Sequence, residues 1–337
     1  MTKLYFSTVF RYAPIDQAGE LVKIDWEEKR VEKKVPVLPK VLKFEDPNPR
    51  GNSRGGRGIA VVDGKVIMAG YCELQVYDLD LNPLFNISHN LFSGLHEVYY
   101  ESDHRLWVTS TSLNTALLID LDTGQLLDQF WPQEIPAFQE RWGVKPRAIN
   151  KEEDNRIRFL SKNIERDPYH LHLNAIATWR GEQYGLFNRF GAVVNLTRRF
   201  VVFEDPKIKG AHNMIILEDG SIFVNDTRNQ AVNIYDMHGA LKKRINLLPM
   251  HKARSKVLSH KLFNPARRIL NQFGLAKHEI VMPFFVRGMD IHDDLVFVGI
   301  SPASVLCVNW QTGKLVDSFT YTEDIRKAVH GLKVIIA

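Results

Sequence analysis

The chain of 337 residues has only two cysteines, Cys72 and Cys307, each inside an apolar strand-like run. That excludes a disulfide scaffold, and neither cysteine has the spacing of a zinc site. No apolar run reaches the roughly 18 residues of a membrane span. The first ten residues, MTKLYFSTVF, lack the basic region and unbroken apolar stretch of a secretion signal, so a soluble cytosolic protein is expected. The glycine-rich stretch GNSRGGRG from Gly51 lacks the Gly-Lys-Ser/Thr that closes a phosphate loop. With no RNA-binding aromatic signature and no DNA-reading helix, a nucleic-acid partner is not expected despite a net charge of +5. What the chain has is hydrophobic residues, 45% of the total, enough for a large core.

Those residues are organised as a repeat. Six hairpins share one shape, an apolar run, a polar turn led by Asp or Asn, and a second apolar run; they begin near Val22, Leu74, Ala116, Ala192, Val232 and Val305. A second hairpin with a Gly/Asp turn precedes most of them, as in GIAVVDGKVIMAG and MIILEDGSIFV. Four strands per unit at about 40-residue spacing predict an all-β, six-bladed β-propeller forming a single domain over 1–337. Blade 1 lacks its innermost strand, and the last segment, HGLKVIIA, has the missing pattern. The C-terminus is therefore expected to complete blade 1 and close the ring.

Aligning the blade starts places a basic side chain at each: His330, Arg57, His96, His172, His212 and Arg287 around the circle. The fourth blade fits with a one-residue slip. His170 and His172 alternate along a strand, so only one of them is expected to face the axis. Innermost strands line a propeller's channel, so the six side chains should converge, and cations packed together call for an anion, a metal or neutral imidazoles. His212 or His330 is then a candidate nucleophile or general acid/base, with His172 and His96 as further catalytic candidates, and Arg57 and Arg287 would hold the oxygens of a small anionic substrate. Second-strand ends reach the same face and add Tyr71, Ser110, Arg189, Asp226 and Ser301 at the mouth. Two other uses of the ring stand beside this one: a divalent transition metal held by His96, His172 and His212, and a non-catalytic interaction scaffold.

Two insertions, 133–169 and 250–282, join an outermost strand to the next innermost strand and so belong to the ring's face, where they are expected to form a lid. In the second, Asn264 reads as an N-cap, Pro265 as the first helical residue and Gly274 as the stop, giving a short helix over 265–273. This segment has seven basic residues against Glu279 alone, while the whole chain carries +5, so the rest is nearly neutral. The positive field is expected to steer an anionic substrate or touch an anionic surface.

HLNAIA from His172, HNMIILEDGSIFVND from His212 and RGMDIHDDLVFVGIS from Arg287 resemble, in that order, a family of bacterial propellers of unknown function. More distantly, His172 to Ile176, as His-x-Asn-small-apolar, and the His212 blade start resemble the arylsulfotransferases that use no nucleotide donor. That resemblance implies a central pocket of histidines and an arginine, in which one histidine carries a sulfuryl group.

Overall fold

The computed structural model describes residues 2–42, 46, 53–160, 167, 170–252, 254–275 and 285–336. Blade 1 contains β1 (Thr2–Phe10), β2 (Glu20–Asp25) and β3 (Arg30–Pro36). Blade 2 contains β4 (Ile59–Val62), β5 (Lys65–Ala69), β6 (Leu74–Asp78) and β7 (Pro83–Ile87). Blade 3 is β8 (Leu95–Ser102), β9 (Arg105–Ser110), β10 (Thr115–Asp120) and β11 (Leu126–Phe130). In blade 4 the strands are β12 (Leu173–Trp179), β13 (Glu182–Phe187), β14 (Ala192–Asn195) and β15 (Phe200–Glu204). Blade 5 runs through β16 (His212–Ile216), β17 (Ile222–Asp226), β18 (Ala231–Tyr235) and β19 (Leu241–Asn246). Blade 6 follows with β20 (Met289–His292), β21 (Leu295–Ile300), β22 (Ser304–Asn309) and β23 (Lys314–Thr320), and β24 (Lys327–Ile336) ends the chain.

Every sheet is an antiparallel four-strand meander, and the first has the order β24-β1-β2-β3. The six-bladed propeller is thus closed as the sequence predicts: β24 supplies the innermost strand of blade 1, pairing Leu332 with Phe6 and Val334 with Leu4. The innermost strands neighbour one another in the cycle β24, β4, β8, β12, β16, β20 and back to β24. Alternation along each strand points apolar side chains into the gaps between blades, so there are six core clusters, one per blade interface. Outermost strands are largely exposed and carry Lys33 and Lys34 on β3 and Lys242, Lys243 and Arg244 on β19, which keeps their open edges from pairing with other chains.

The innermost strands open on a β-bulge, and the bulges are tied across blades by polar groups. In blade 1 the bulge spans His330-Gly331 opposite Ser7. The Ser7 hydroxyl accepts from the Gly331 amide at 2.8 Å and donates to the Arg57 carbonyl of blade 2 at 2.7 Å. Gly58 donates its amide to the His96 carbonyl of blade 3 (2.9 Å). Thr111 donates to the Leu173 carbonyl (2.7 Å), Asn174 to the Ala211 carbonyl (2.9 Å), and the Gly288 amide to Asn213 Oδ1 (2.8 Å). These bonds satisfy backbone groups that the bulges remove from the ladder and fix where the axial side chains start. Gly331 is part of the same closure, since a Cβ there would lie 2.1 Å from the Arg57 carbonyl oxygen. Gly331→Ala is therefore expected to cost about 2–4 kcal/mol of stability, read as a lower urea midpoint with unchanged slope; an unaltered midpoint would show that the seam relaxes freely.

The first insertion begins with α1 (Pro136–Trp142), ended by Gly143 at φ 62°. It is seated on blades 3 and 4: Phe138 is buried against Phe187, Trp142 stacks on Phe190 at 4.7 Å, and Arg147 donates to the Ser112 carbonyl. The second insertion corrects the sequence reading. Its helix, α2 (Arg254–Gln272), is 19 residues long and starts well before the expected N-cap, so Pro265 lies inside it. Pro265 removes one backbone hydrogen bond from a helix whose outer face is exposed, and the helix runs on through it. Residues 161–166, 168–169 and 276–284, on which the rest of the expected lid falls together with Lys277 and Glu279, lie outside the described residues. Among those described, no helix is long and apolar enough to cross a membrane.

Candidate active site at the propeller axis

The axial side chains meet, but not as a flat ring. His96 of blade 3 lies at the centre, with ring centroids 4.7 Å from His330 of blade 1 and 5.3 Å, stacked, from His212 of blade 5. Imidazoles from alternate blades thus touch across the axis, with Arg57, His172 and Arg287 between them. All but His172 are at most 8% exposed.

His172 departs from the alternation argument. The bulge register puts Leu173, opposite Phe187, where His212 sits opposite Asn225 in blade 5, so the one-residue slip is real. His172 precedes the strand with φ 60°, and this left-handed turn brings the His170 and His172 rings to 5.0 Å rather than to opposite faces. His170 Nε2 donates to the Thr111 carbonyl (2.8 Å), a bond that anchors the insertion's end. His172 itself stands 6.4 Å from His96.

Hydrogen bonds settle two tautomers. Arg287 Nη1 is 2.5 Å from His330 Nε2, and a guanidinium can only donate, so Nε2 accepts and the neutral ring carries its proton on Nδ1. That Nδ1 is buried and has no hydrogen-bond partner among the described residues; neither does His96 Nδ1. Thr227 spends its single hydroxyl proton on the Val286 carbonyl (2.8 Å), so the contact from His212 Nδ1 to Thr227 Oγ1 (2.8 Å) must run from nitrogen to oxygen. With its proton on Nδ1 the neutral His212 has its lone pair on Nε2, and the Gly210 carbonyl is a second acceptor beside this ring. Phe285, held by its amide on Ser301 Oγ (2.7 Å), lies edge-on to His212 at 5.3 Å and beneath the Arg287 guanidinium at 4.0 Å.

The imidazoles are strongly disfavoured as cations. Burial drives His96, His212 and His330 well below the ordinary histidine range, and the guanidinium charges push further: Arg287 and Arg57 on His96, Arg287 on His212, and Arg287 and Arg57 on His330. Arg11, from the loop after β1, adds to the field on His212 and His330. It is a site residue that blade-start alignment misses, because it comes from a connection between strands.

One layer deeper, Glu97 accepts from Asn213 Nδ2 (2.5 Å), and Asp290 binds Lys333 (2.8 Å) and the Val334 amide (2.9 Å). Burial raises the Glu97 carboxyl to about 7 against the opposing pull of Asn213 and Lys333. A raised folded pKa means that its contribution to stability is present below the ordinary carboxyl range and lost as pH rises through 7. Glu97→Gln is accordingly expected to raise the melting temperature at pH 8 by an amount equivalent to about 1–2 kcal/mol and to change little at pH 5; equal effects at both values would assign the change to packing instead.

The mouth candidates divide. The Tyr71 hydroxyl turns to Ser112 and Ser93, close enough to Arg57 to feel its charge. Ser301 acts one residue removed, through Phe285. Ser110 is spent on the Leu91 and Ser93 carbonyls. Arg189 donates to the Asp167 and His170 carbonyls and fastens the first insertion. Asp226, fully buried, accepts from Arg244 (3.1 Å) and Asn229 (2.9 Å), holding blade 5 together from within. The expected metal set of His96, His172 and His212 is not assembled: His172 is displaced by its turn, and among the described residues no three His, Cys, Asp or Glu side chains are grouped to hold a metal ion.

No family model and no curated protein matches the sequence. Among solved structures, the chain is similar to a protein of unknown function from Bacteroides caccae, at 11% identity and a TM-score of 0.57 over 99% of this chain and 98% of that one. It is also similar to a chain of a nidogen/laminin complex, at 10% identity and a TM-score of 0.57 over 100% and 99%. At such identities the likeness shows the propeller fold alone.

Proposed function

We propose that the axial site is the active site of an enzyme acting on a small anionic ester of the sulfate or phosphate type, with His212 as nucleophile. The observation that carries this reading is the pair of fixed tautomers: a buried, unpartnered His330 Nδ1–H beside Arg287, and a His212 lone pair on Nε2. A donor buried without an acceptor costs about 1–3 kcal/mol, and an oxyanion supplies the acceptor in a field whose strongest charges are positive. Arg57 and Arg287 bind its oxygens by charge-assisted bonds. His212 Nε2 attacks the central sulfur or phosphorus, and the bond to the ester oxygen breaks, that oxygen leaving with the electron pair. A hydroxyl acceptor or water then attacks the same atom, the bond to Nε2 breaks with its electron pair returning to the imidazole, and the acceptor's proton goes to the departed ester oxygen. The resemblance to arylsulfotransferases favours sulfate among these esters.

The test is a panel of aryl sulfates and aryl phosphates with a phenol acceptor, alongside melting curves in sulfate and phosphate. Turnover of one ester class is expected, with stabilisation by the matching free anion of about 2.7 kcal/mol at a hundredfold excess over Kd. An axis indifferent to every oxyanion, with no turnover, would leave the scaffold reading standing.

A further inference from the structure

The second insertion carries a surface that the axial site does not use. Helix α2 and the turn that follows it present Leu258, Leu262, Ile269 and Phe273 along one stripe, spaced four, eleven and fifteen residues from the first, with Phe263 and Leu270 beside it. Leu262 is 76% exposed, Phe263 61%, Ile269 57%, Phe273 72%, and Leu275 just past the helix 75%. Val257, on the opposite side, is fully buried in the cluster that contains Leu247 and Val286. The helix is thus seated on the propeller by one residue face and turns its apolar face outward. Soluble proteins rarely leave so much contiguous apolar surface to water.

Charge identifies what covers it. From Leu248 to His278 there is no Asp or Glu, while Lys252, Arg254, Lys256, Lys261, Arg267, Arg268 and Lys277 are all basic. Arg254 and Arg267 are exposed and lie at the two borders of the apolar stripe. An apolar face edged by cations is the pattern of a helix lying in the interface of an anionic bilayer. A second copy of this chain would set the same cations against themselves, which disfavours self-association through this face.

We propose that α2 is an interfacial anchor that docks the protein on an anionic lipid surface, its long axis in the membrane plane. Because α2 joins β19 to β20, on the face where the innermost strands begin, docking brings the axial mouth to the bilayer side. The proposal is independent of the chemistry assigned to the axis.

Co-sedimentation of the full chain with phosphatidylcholine vesicles, with and without about one third phosphatidylglycerol, tests it. Binding is expected to the anionic vesicles and to weaken steeply with salt. The double variant Leu262→Glu/Phe273→Glu, at exposed positions, should keep the parent melting curve and bind at least about tenfold more weakly. Arg254→Gln and Arg267→Gln should each reduce binding by about fivefold. No binding to anionic vesicles, or undiminished binding by the Leu262→Glu/Phe273→Glu chain, overturns the proposal. So does a dimer in sedimentation velocity that the same double variant converts to monomer, which would assign the face to a second copy.

Discussion

His212→Ala is expected to lower kcat for the ester substrate by about a thousandfold or more, the loss typical when a covalent nucleophile is removed, with the melting curve nearly unchanged. Its neighbours separate the roles. Thr227→Val removes the acceptor that holds the proton on His212 Nδ1, so the ring can place its lone pair on either nitrogen; kcat should fall by about 10- to 100-fold, with KM steady. Arg287→Ala acts differently, because the guanidinium both binds the anion and holds His330 neutral through Nε2. That variant should raise KM for the ester and weaken sulfate stabilisation, while His330 becomes protonated nearer the ordinary histidine range and the pH profile gains an acid limb. Rapid mixing with an aryl ester should give a burst of phenol equal to the enzyme concentration, absent in the His212→Ala chain. Full turnover by His212→Ala would remove the nucleophile assignment, and equal losses in all three variants without a KM or pH signature would mean that the substitutions act on the fold.

How far the sequence reaches can be judged at particular residues. The repeat is legible because each blade must alternate apolar residues to fill two interfaces, and Ser7, Gly331 and Leu332 show why the last segment could be assigned to blade 1: only a strand of that pattern closes the seam. Convergence of His96, His212, His330, Arg57 and Arg287 follows from the same register. What periodicity does not carry is geometry within the register. The turn at His172 depends on φ 60°, which no alternation pattern encodes for a non-glycine residue. Asp226 and Arg189 reach the correct face, yet their side chains are taken by Arg244, Asn229 and backbone carbonyls, and polar partnerships between strands and loops are invisible in a single chain of letters. The Thr227–His212 pair belongs to the same class: a threonine directly after an inner hairpin strand looks ordinary until the Val286 carbonyl is seen to claim its proton.

Acid should unfold the protein abruptly, and the axis is the reason. His96, His170, His212 and His330 are buried with pKa values well below the ordinary 6.5, burial being the largest cause for each, and His251 is lowered to about 4 by burial alone. A base with a depressed folded pKa gives stability that is complete above its unfolded value and lost as pH falls below it, because the unfolded chain takes up the protons first. Each such histidine contributes up to about 1.4 kcal/mol per pH unit, so four together approach the whole stability of a typical domain within about two units below 6.5. Glu97 and His292 oppose this: both are raised, Glu97 by burial and His292 by Asp290, and their contributions are lost as pH rises, but Glu97 is one group against four and His292 is partly exposed. The expected result is a melting temperature that is flat from pH 8 to 7 and collapses between about pH 6 and 4.5. Sulfate should move that collapse to lower pH, since protonated imidazoles around an anion are no longer uncompensated charges. A gradual decline confined to pH below 4 would instead trace acid lability to the carboxylates, and a collapse that sulfate leaves in place would separate the buried histidines from any oxyanion at the axis.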